Sequence, residues 1–434
     1  MSKNTGSNPR LVALQHRDFR LLWLGQLVST IGSQMQFITV NWHVFNLLEG
    51  QSITVEFLGR EFGLDAGALG LGTLGLVRVI PIVLFALLGG LLADMRNRRQ
   101  VLIWSHSVGA LFSAILAGLT FSGYDNLVII YLLTGAGAAG FALEQPSKQS
   151  LVPNLVPREH LTNAISLNTL LYQIANISGP ALAGVLLSFF SLGVVYALDA
   201  VTFIAAIVAV ALIQHRGQVA AQYTGLGWRA LIEGLTFTYR SRLIWSTMLL
   251  DFFATFFGSA RTMLPIVASD ILGLGVQGYG LLATAQPIGA VIAGAVTALR
   301  RDIHRQGLVL LVSVGLYGLA TAFFGLSTNF ALSYLLFGLT GAGDTISTVI
   351  RGTLRQSITP DWLRGRMTSV NMVFYMGGPQ LGELEAGLVA ALAGVPFAIF
   401  TGGLATVLLT GWVAWKYPRL RRYTGQTATE AIIA

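Results

Sequence analysis

Eight ionisable side chains stand inside stretches that are otherwise apolar: Arg78, Glu144, Asp199, Asp251, Arg261, Asp344, Glu383 and Glu385. Hydrocarbon penalises each of them, so each needs a partner or a function. A carboxylate in such a place can take a proton when buried and release it when wetted, and an arginine can compensate an acid or hold an anion. Asp251, Asp344 and Glu383 are the candidate proton carriers. Asp344 follows Gly341 and Gly343 near the middle of its stretch, so a loop explains it least easily. Glu383 and Glu385 cannot share a helix face at spacing two, so at most one points into a cavity. Asp251 and Arg261, ten residues apart, cannot form a same-turn pair, whereas Glu144 and Lys148 have the spacing of a helical pair. Asp199 lies nearer an outer end, where it can simply face water. Trp42, His43, Phe253, Phe256, Arg261 and Tyr375 are candidates for lining a substrate cavity, the aromatic rings by stacking on a flat or cyclic ligand. His43 reads equally as a hydrogen-bonded structural residue.

Other chemistries lack their residues. The sequence carries no ATP-binding glycine-lysine loop, no HExxH and no serine-centred nucleophile elbow. It has no cysteine, which excludes disulfides, thiol catalysis and cysteine metal sites. No enzyme activity, cofactor or metal is expected.

The elements that must position these side chains are set by composition. Only 11% of the 434 residues are charged and 54% are hydrophobic, against about 25% charged in a soluble domain. Such a chain cannot cover a water-facing surface of its size. Twelve stretches are long and apolar enough to cross a bilayer as helices: about 19–48, 66–93, 100–122, 127–150, 163–190, 194–213, 242–271, 278–299, 307–326, 329–358, 368–392 and 395–417. The expected fold class is an all-α polytopic membrane protein. The polar start, with no small-residue cleavage site after a short apolar core, argues against a cleaved signal peptide.

Basic residues orient the stretches. If both ends of an even number of spans share one side, that side receives 24 of the 27 Lys and Arg. Both termini are therefore expected in the cytoplasm, with the protein in the plasma (inner) membrane. Glu49, Glu56, Glu61 and Asp65 gather instead in the first outer loop. The net charge of +8 does not imply nucleic acid, because the basic residues punctuate apolar runs and form no soluble face.

The longest polar connection, 214–241, divides the chain into 1–213 and 242–434, six stretches each. Its GWRALIEGLTFTYRSR reads either as an amphipathic helix on the membrane face or as a plain linker. The halves repeat. A shift of 203 pairs Pro157 with Pro360, Ser166 with Ser369, Asn168 with Asn371, Gly179 with Gly382 and Gly184 with Gly387. A shift of 207 pairs Glu144 with Arg351 and Lys148 with Arg355. Parallel repeats of this kind are a transporter architecture, with substrate near the midplane.

Two motifs carry a family resemblance. In GGLLADMRNRRQV, Gly90, Asp94, Arg98 and Arg99 resemble the loop signature of the major facilitator superfamily, although Met95 and Asn97 replace a usual basic residue and glycine. The resemblance implies twelve helices in two pseudo-symmetric six-helix bundles. It also implies a gating relay of Arg98, Glu144 and either Arg364 or Arg366. Ala175-x-x-x-Gly179-Pro180-x-x-Ala183-Gly184 resembles the fifth-helix antiporter signature of exporters, with alanine at two glycine positions. The segments FRLLWLGQLVSTIGSQM, LVPNLVPREHLTNAISLN and PQLGELEAGL resemble the enterobactin-exporter and macrolide-efflux branch. That branch implies proton-coupled efflux of a bulky, partly apolar small molecule by a monomer in the bilayer. Import, or a non-transporting receptor of the same fold, is the alternative.

Overall fold

The computed structural model describes residues 9–57, 60–95, 97–124, 126–215, 228–300, 303–360 and 363–425. α1 (Arg17–Leu48) leads through a hairpin, β1 (Ser52–Phe57) and β2 (Arg60–Asp65), into α2 (Ala66–Met95). α3 (Arg98–Ser122), α4 (Leu127–Leu155), α5 (Leu161–Phe189) and α6 (Leu192–Ala211) follow. α7 (Trp228–Arg240) precedes α8 (Arg242–Phe257), the single turn α9 (Leu264–Ile266), α10 (Gly275–Leu299) and α11 (Gln306–Leu326). α12 (Phe330–Ile358), α13 (Arg364–Ala393), α14 (Val395–Lys416) and the short α15 (Pro418–Arg422) complete the order.

Local sequence explains the ends. The Oδ1 atoms of Asn97, Asn126 and Asn329 accept the amides of Arg99, Val128 and Leu332, capping α3, α4 and α12. Gly123 closes α3 at φ 70°, a left-handed position that costs glycine nothing. Asp65, expected only as an outer-loop charge, accepts the Ala68 amide at 2.8 Å at the start of α2.

Among the described residues, nine helical segments are long and apolar enough to cross a membrane. The other three expected stretches are also helical, as α1, α12 and α13, with 32, 29 and 30 residues. They are the more polar ones, and they carry buried Gln26, Asn41 and His43, buried Ser347 and Arg351, and buried Glu383. Apolar side chains at the periphery remain open, as at Leu299, 85% exposed, and Phe189, 75% exposed. Water disfavours that surface and lipid suits it.

Two local features differ from the expectation, and a third resolves an open alternative. The stretch 49–65 is an antiparallel hairpin, with Ser52 opposite Asp65 and Glu56 opposite Glu61. The run Ile53-Thr54-Val55 carries the β-branched signal for it. The stretch 242–271 is not one helix. α8 stops at Phe257, Arg261–Met263 forms a 3-10 turn, and Val267–Ile271 is a π turn. The connection 214–241 does contain a helix, α7, which packs on α13 and α8; residues 216–227 lie outside the described set.

The chain forms two compact units: the described parts of Met1–His43 with Ile80–Tyr223, and of Val44–Val79 with Thr224–Ala434. Relative to the expected division at 214–241, the stretch 44–79 groups with the C-terminal part. Glycines explain this. A Cβ on Gly72 would meet Gly387 Cα at 2.7 Å, and one on Gly75 would meet Glu383 Cβ at 2.8 Å, so the first half of α2 lies flush on α13.

The repeat is visible in each unit's core. In the first, Phe19, Leu102, Leu151, Leu167 and Val210 join α1, α3, α4, α5 and α6. In the second, Ile244, Leu310, Leu354, Met367 and Val413 join α8, α11, α12, α13 and α14, the equivalents six apolar stretches on. The fifth-helix motif follows the same symmetry. Gly179 lies against Ile31 and Gln34 of α1, within its own unit, and Gly382 lies against Phe256 of α8. Each glycine lets the first helix of its own half approach closely. α5 runs unbroken through Pro180, as the membrane setting permits.

Gly179→Val and Gly382→Val are each expected to cost about 1–3 kcal/mol through overpacking, read as a lower Tm in detergent. Gly118→Ala is the control, since no atom lies within 4 Å of its added Cβ; its Tm should not fall.

Candidate functional site

The buried ionisable residues form four clusters, each within one unit. The first lies where α2 crosses α13. Arg78 Nη1 is 3.6 Å from Glu383 Oε2, with both side chains under 10% exposed. Glu383 Oε2 accepts no hydrogen bond from the described residues, so this is an ion pair without direct hydrogen bonding. The break after α8 brings Arg261 and Thr262 beside the same carboxylate. Two guanidinium groups thus share one acid. Tyr279 of α10, which the sequence does not single out, is within electrostatic reach of both arginines. Glu385, two residues on, is only half-buried, as the spacing argument requires.

The second cluster joins α8 to α12. Arg351 Nη1 lies 2.7 Å from Asp251 Oδ1, and Arg351 Nη2 lies 3.7 Å from Asp344 Oδ1. Thr348 Oγ1 accepts from the same guanidinium at 2.9 Å. The Asp251 and Arg351 side chains are buried, whereas that of Asp344 is 46% exposed. Arg351 lies about two turns before the C-terminal end of α12. One turn further, Arg355 bonds Asn371 of α13.

The third cluster is a hydrogen-bonded chain in the first unit. Glu144 Oε2 is 3.7 Å from His106 Nδ1, and the other His106 nitrogen bonds Gln26 at 3.1 Å. Lys148 Nζ donates to Gln26 Oε1 at 2.5 Å and to Tyr172 Oη at 3.1 Å. The spacing of Glu144 and Lys148 suggested that they pair with each other; each has another partner instead. Lys148 to Tyr172 and Arg355 to Asn371 both tie the fourth helix of a half to the fifth, but through fifth-helix residues that are not equivalent under the shift of 203.

The fourth cluster corrects Asp199. It does not face water. It is fully buried, accepting from Ser113 Oγ at 2.7 Å and from Thr202 Oγ1 at 3.4 Å. Gly32 of α1 leaves the room for it, since a Cβ there would meet Asp199 Oδ1 at 2.6 Å.

The gating residues are only partly described. Gly90 and Asp94 are helical in α2, and Arg364 and Arg366 begin α13, but their side chains lie outside the described residues. Arg98 Nη1 donates to Ser150 O at 2.9 Å, and Arg99 donates to the Ala211 carbonyl. Arg98 therefore ties to the backbone of α4, and the side chain that approaches the Glu144 carboxylate is His106, at 3.7 Å. Ala175, Gly179, Pro180, Ala183 and Gly184 all form the buried face of α5.

Of the cavity candidates, Phe253 and Phe256 belong to an aromatic ladder. Phe252 stacks on Phe256 at 5.7 Å and meets Phe253 at 5.9 Å and Phe374 of α13 at 6.1 Å. His43 is buried, with Nδ1 3.1 Å from Tyr196 Oη. Trp42 is half-buried and Tyr375 is exposed.

The family model described as a transmembrane secretion effector matches residues 9–430. The chain belongs to that family, within the major facilitator superfamily. It is 25% identical over 402 residues to the staphyloferrin A transporter of Staphylococcus aureus, covering 90% of this chain and 92% of that one. It is 26% identical over 405 residues to the enterobactin exporter EntS of Salmonella choleraesuis, covering 91% and 93%. Among solved structures, a bacterial homologue of the human lysosomal transporter Spinster, inward-facing and occupied, superimposes with a TM-score of 0.70. The sequence identity there is 13%, over 96% of this chain and 100% of that one. The protein is an integral membrane secondary transporter for a small molecule, not an enzyme.

Removing one partner of a buried pair leaves a charge without compensation. Arg351→Met should therefore destabilise the transporter by about 3–5 kcal/mol, measured by thermal unfolding in detergent. The double variant Arg351→Met/Asp251→Asn should recover part of that loss.

Proposed function

We propose that the transporter exports a bulky, partly apolar small molecule, siderophore-like or macrolide-like, in exchange for protons by alternating access. In this reading it acts as a monomer in the inner membrane, with both termini in the cytoplasm and duplicated halves 1–213 and 242–434. The relatives named for staphyloferrin A and enterobactin support the substrate class. The observation that carries the coupling is the Arg78–Glu383 pair, buried where two glycine-faced helices cross. With Glu383 ionised, α2 and α13 are drawn together and one of two nearby arginines is compensated. A proton on Glu383 removes that attraction, so the ionised and protonated states favour different arrangements of the crossing. Asp344, open beside a buried pair, and Asp251 are the other acids able to carry the proton. In this reading Asp94 belongs to the gating relay and Gly179 to the packing of α5 on α1.

Inside-out and right-side-out vesicles carrying the transporter, energised and supplied with enterobactin, staphyloferrin A or a macrolide, test this. Uptake into inside-out vesicles, abolished by an uncoupler, is expected for at least one compound, and Glu383→Gln should leave only downhill flux. Accumulation in right-side-out vesicles would identify an importer. Uphill transport retained by all of Glu383→Gln, Asp344→Asn and Asp251→Asn would overturn the coupling assignment.

A further inference from the structure

A cavity of about 660 Å³ opens where α7 meets α8 and α14 runs into α15. Arg240, Arg242, Lys416 and Arg419 line it with Trp245 and Tyr417, and no acid contributes. Among the described residues, none of these four cations has an ion pair within 4 Å. Basic residues at helix ends are ordinary in membrane proteins. Four of them converging on one recess, with no counter-charge, call for an anion.

Two further features shape that anion. The first turn of α8 lines the recess, and Ser241 places no side-chain cap on it, so its amides remain for an oxyanion. Away from the recess, α14 carries an exposed apolar stripe with helical spacing, formed by Leu404, Leu408, Trp412 and Trp415. α14 thus supplies Lys416 to the charged pocket and an apolar track elsewhere along its length, which fits a molecule with a phosphate head and acyl tails. We infer that this recess binds the headgroup of an anionic phospholipid, with its acyl chains along α14. The phosphodiester sits among Arg240, Arg242, Lys416 and Arg419, and Trp245 and Tyr417 lie at the depth of the glycerol backbone. Because α7 follows the long connection between the halves, a bound lipid would pin that connection to the second unit.

Native mass spectrometry of the delipidated full chain in detergent, titrated with cardiolipin, phosphatidylglycerol or phosphatidylethanolamine, tests the inference. Retained adducts and a raised Tm are expected for the two anionic lipids and not for phosphatidylethanolamine. The exposed double variant Arg242→Gln/Lys416→Gln should bind about tenfold more weakly. Arg421→Gln, which lies outside the recess, should bind as the wild type does. Equal retention of phosphatidylethanolamine would overturn the proposal, as would an equal loss in Arg421→Gln. Displacement of the lipid by inorganic phosphate at the same concentration would make a free anion the ligand and overturn the lipid assignment.

Discussion

A charge in hydrocarbon must be neutralised or shared, and the interior of this transporter is organised around that constraint. Insertion scales put the cost of an arginine or aspartate at a helix centre at about 3 kcal/mol. Arg78 meets Glu383, Arg351 meets Asp251 and Asp344, Glu144 meets His106, and Asp199 takes hydroxyls from Ser113 and Thr202. Arg78–Glu383, Arg351–Asp251, Glu144–His106 and Ser113–Asp199 join different helices, whereas Arg351–Asp344 and Thr202–Asp199 each lie within one. Compensation of charge therefore also fixes which helices touch.

Glycine makes that compensation possible. Side chains as short as glutamate reach across a helix crossing only where the backbones nearly touch. Gly72 and Gly75 on α2, with Gly387 on α13, bring Arg78 to Glu383. Gly32 makes space for Asp199 in the same way. The two halves keep the framework of a common design, with equivalent cores and equivalent glycines at 179 and 382, but differ in polar content. The first half holds a hydrogen-bonded chain with one histidine and one lysine, and the second holds ion pairs. That asymmetry suits a carrier in which the second half handles charge, as we propose.

Helix positions were legible in the sequence because twelve apolar runs and the asymmetry of basic residues are global signals. The duplication was legible because Gly179 and Gly382 serve the same contact in each half. What escaped was local or three-dimensional. The partner of Arg351 was not legible, since nothing in one dimension shows that Asp251, a hundred residues away, lies beside it. His106 and Gln26 are single polar residues in apolar runs, and only the approach of α1, α3 and α4 makes them a network. The break at Gly258 carried a signal, a glycine followed by Ser-Ala-Arg and then Pro265, that hydropathy averaged away.

The central claim is that ionised Glu383 holds α2 against α13. The chain has no cysteine, so spin labels at Gln51→Cys, whose carbonyl accepts the Ala66 amide at the start of α2, and at Leu392→Cys near the end of α13, both exposed, report the separation of the two helices without background. Double electron–electron resonance should show a short distance in the otherwise wild-type protein and a population shifted to longer distance with Glu383→Gln. Identical distributions in the two proteins would contradict the account.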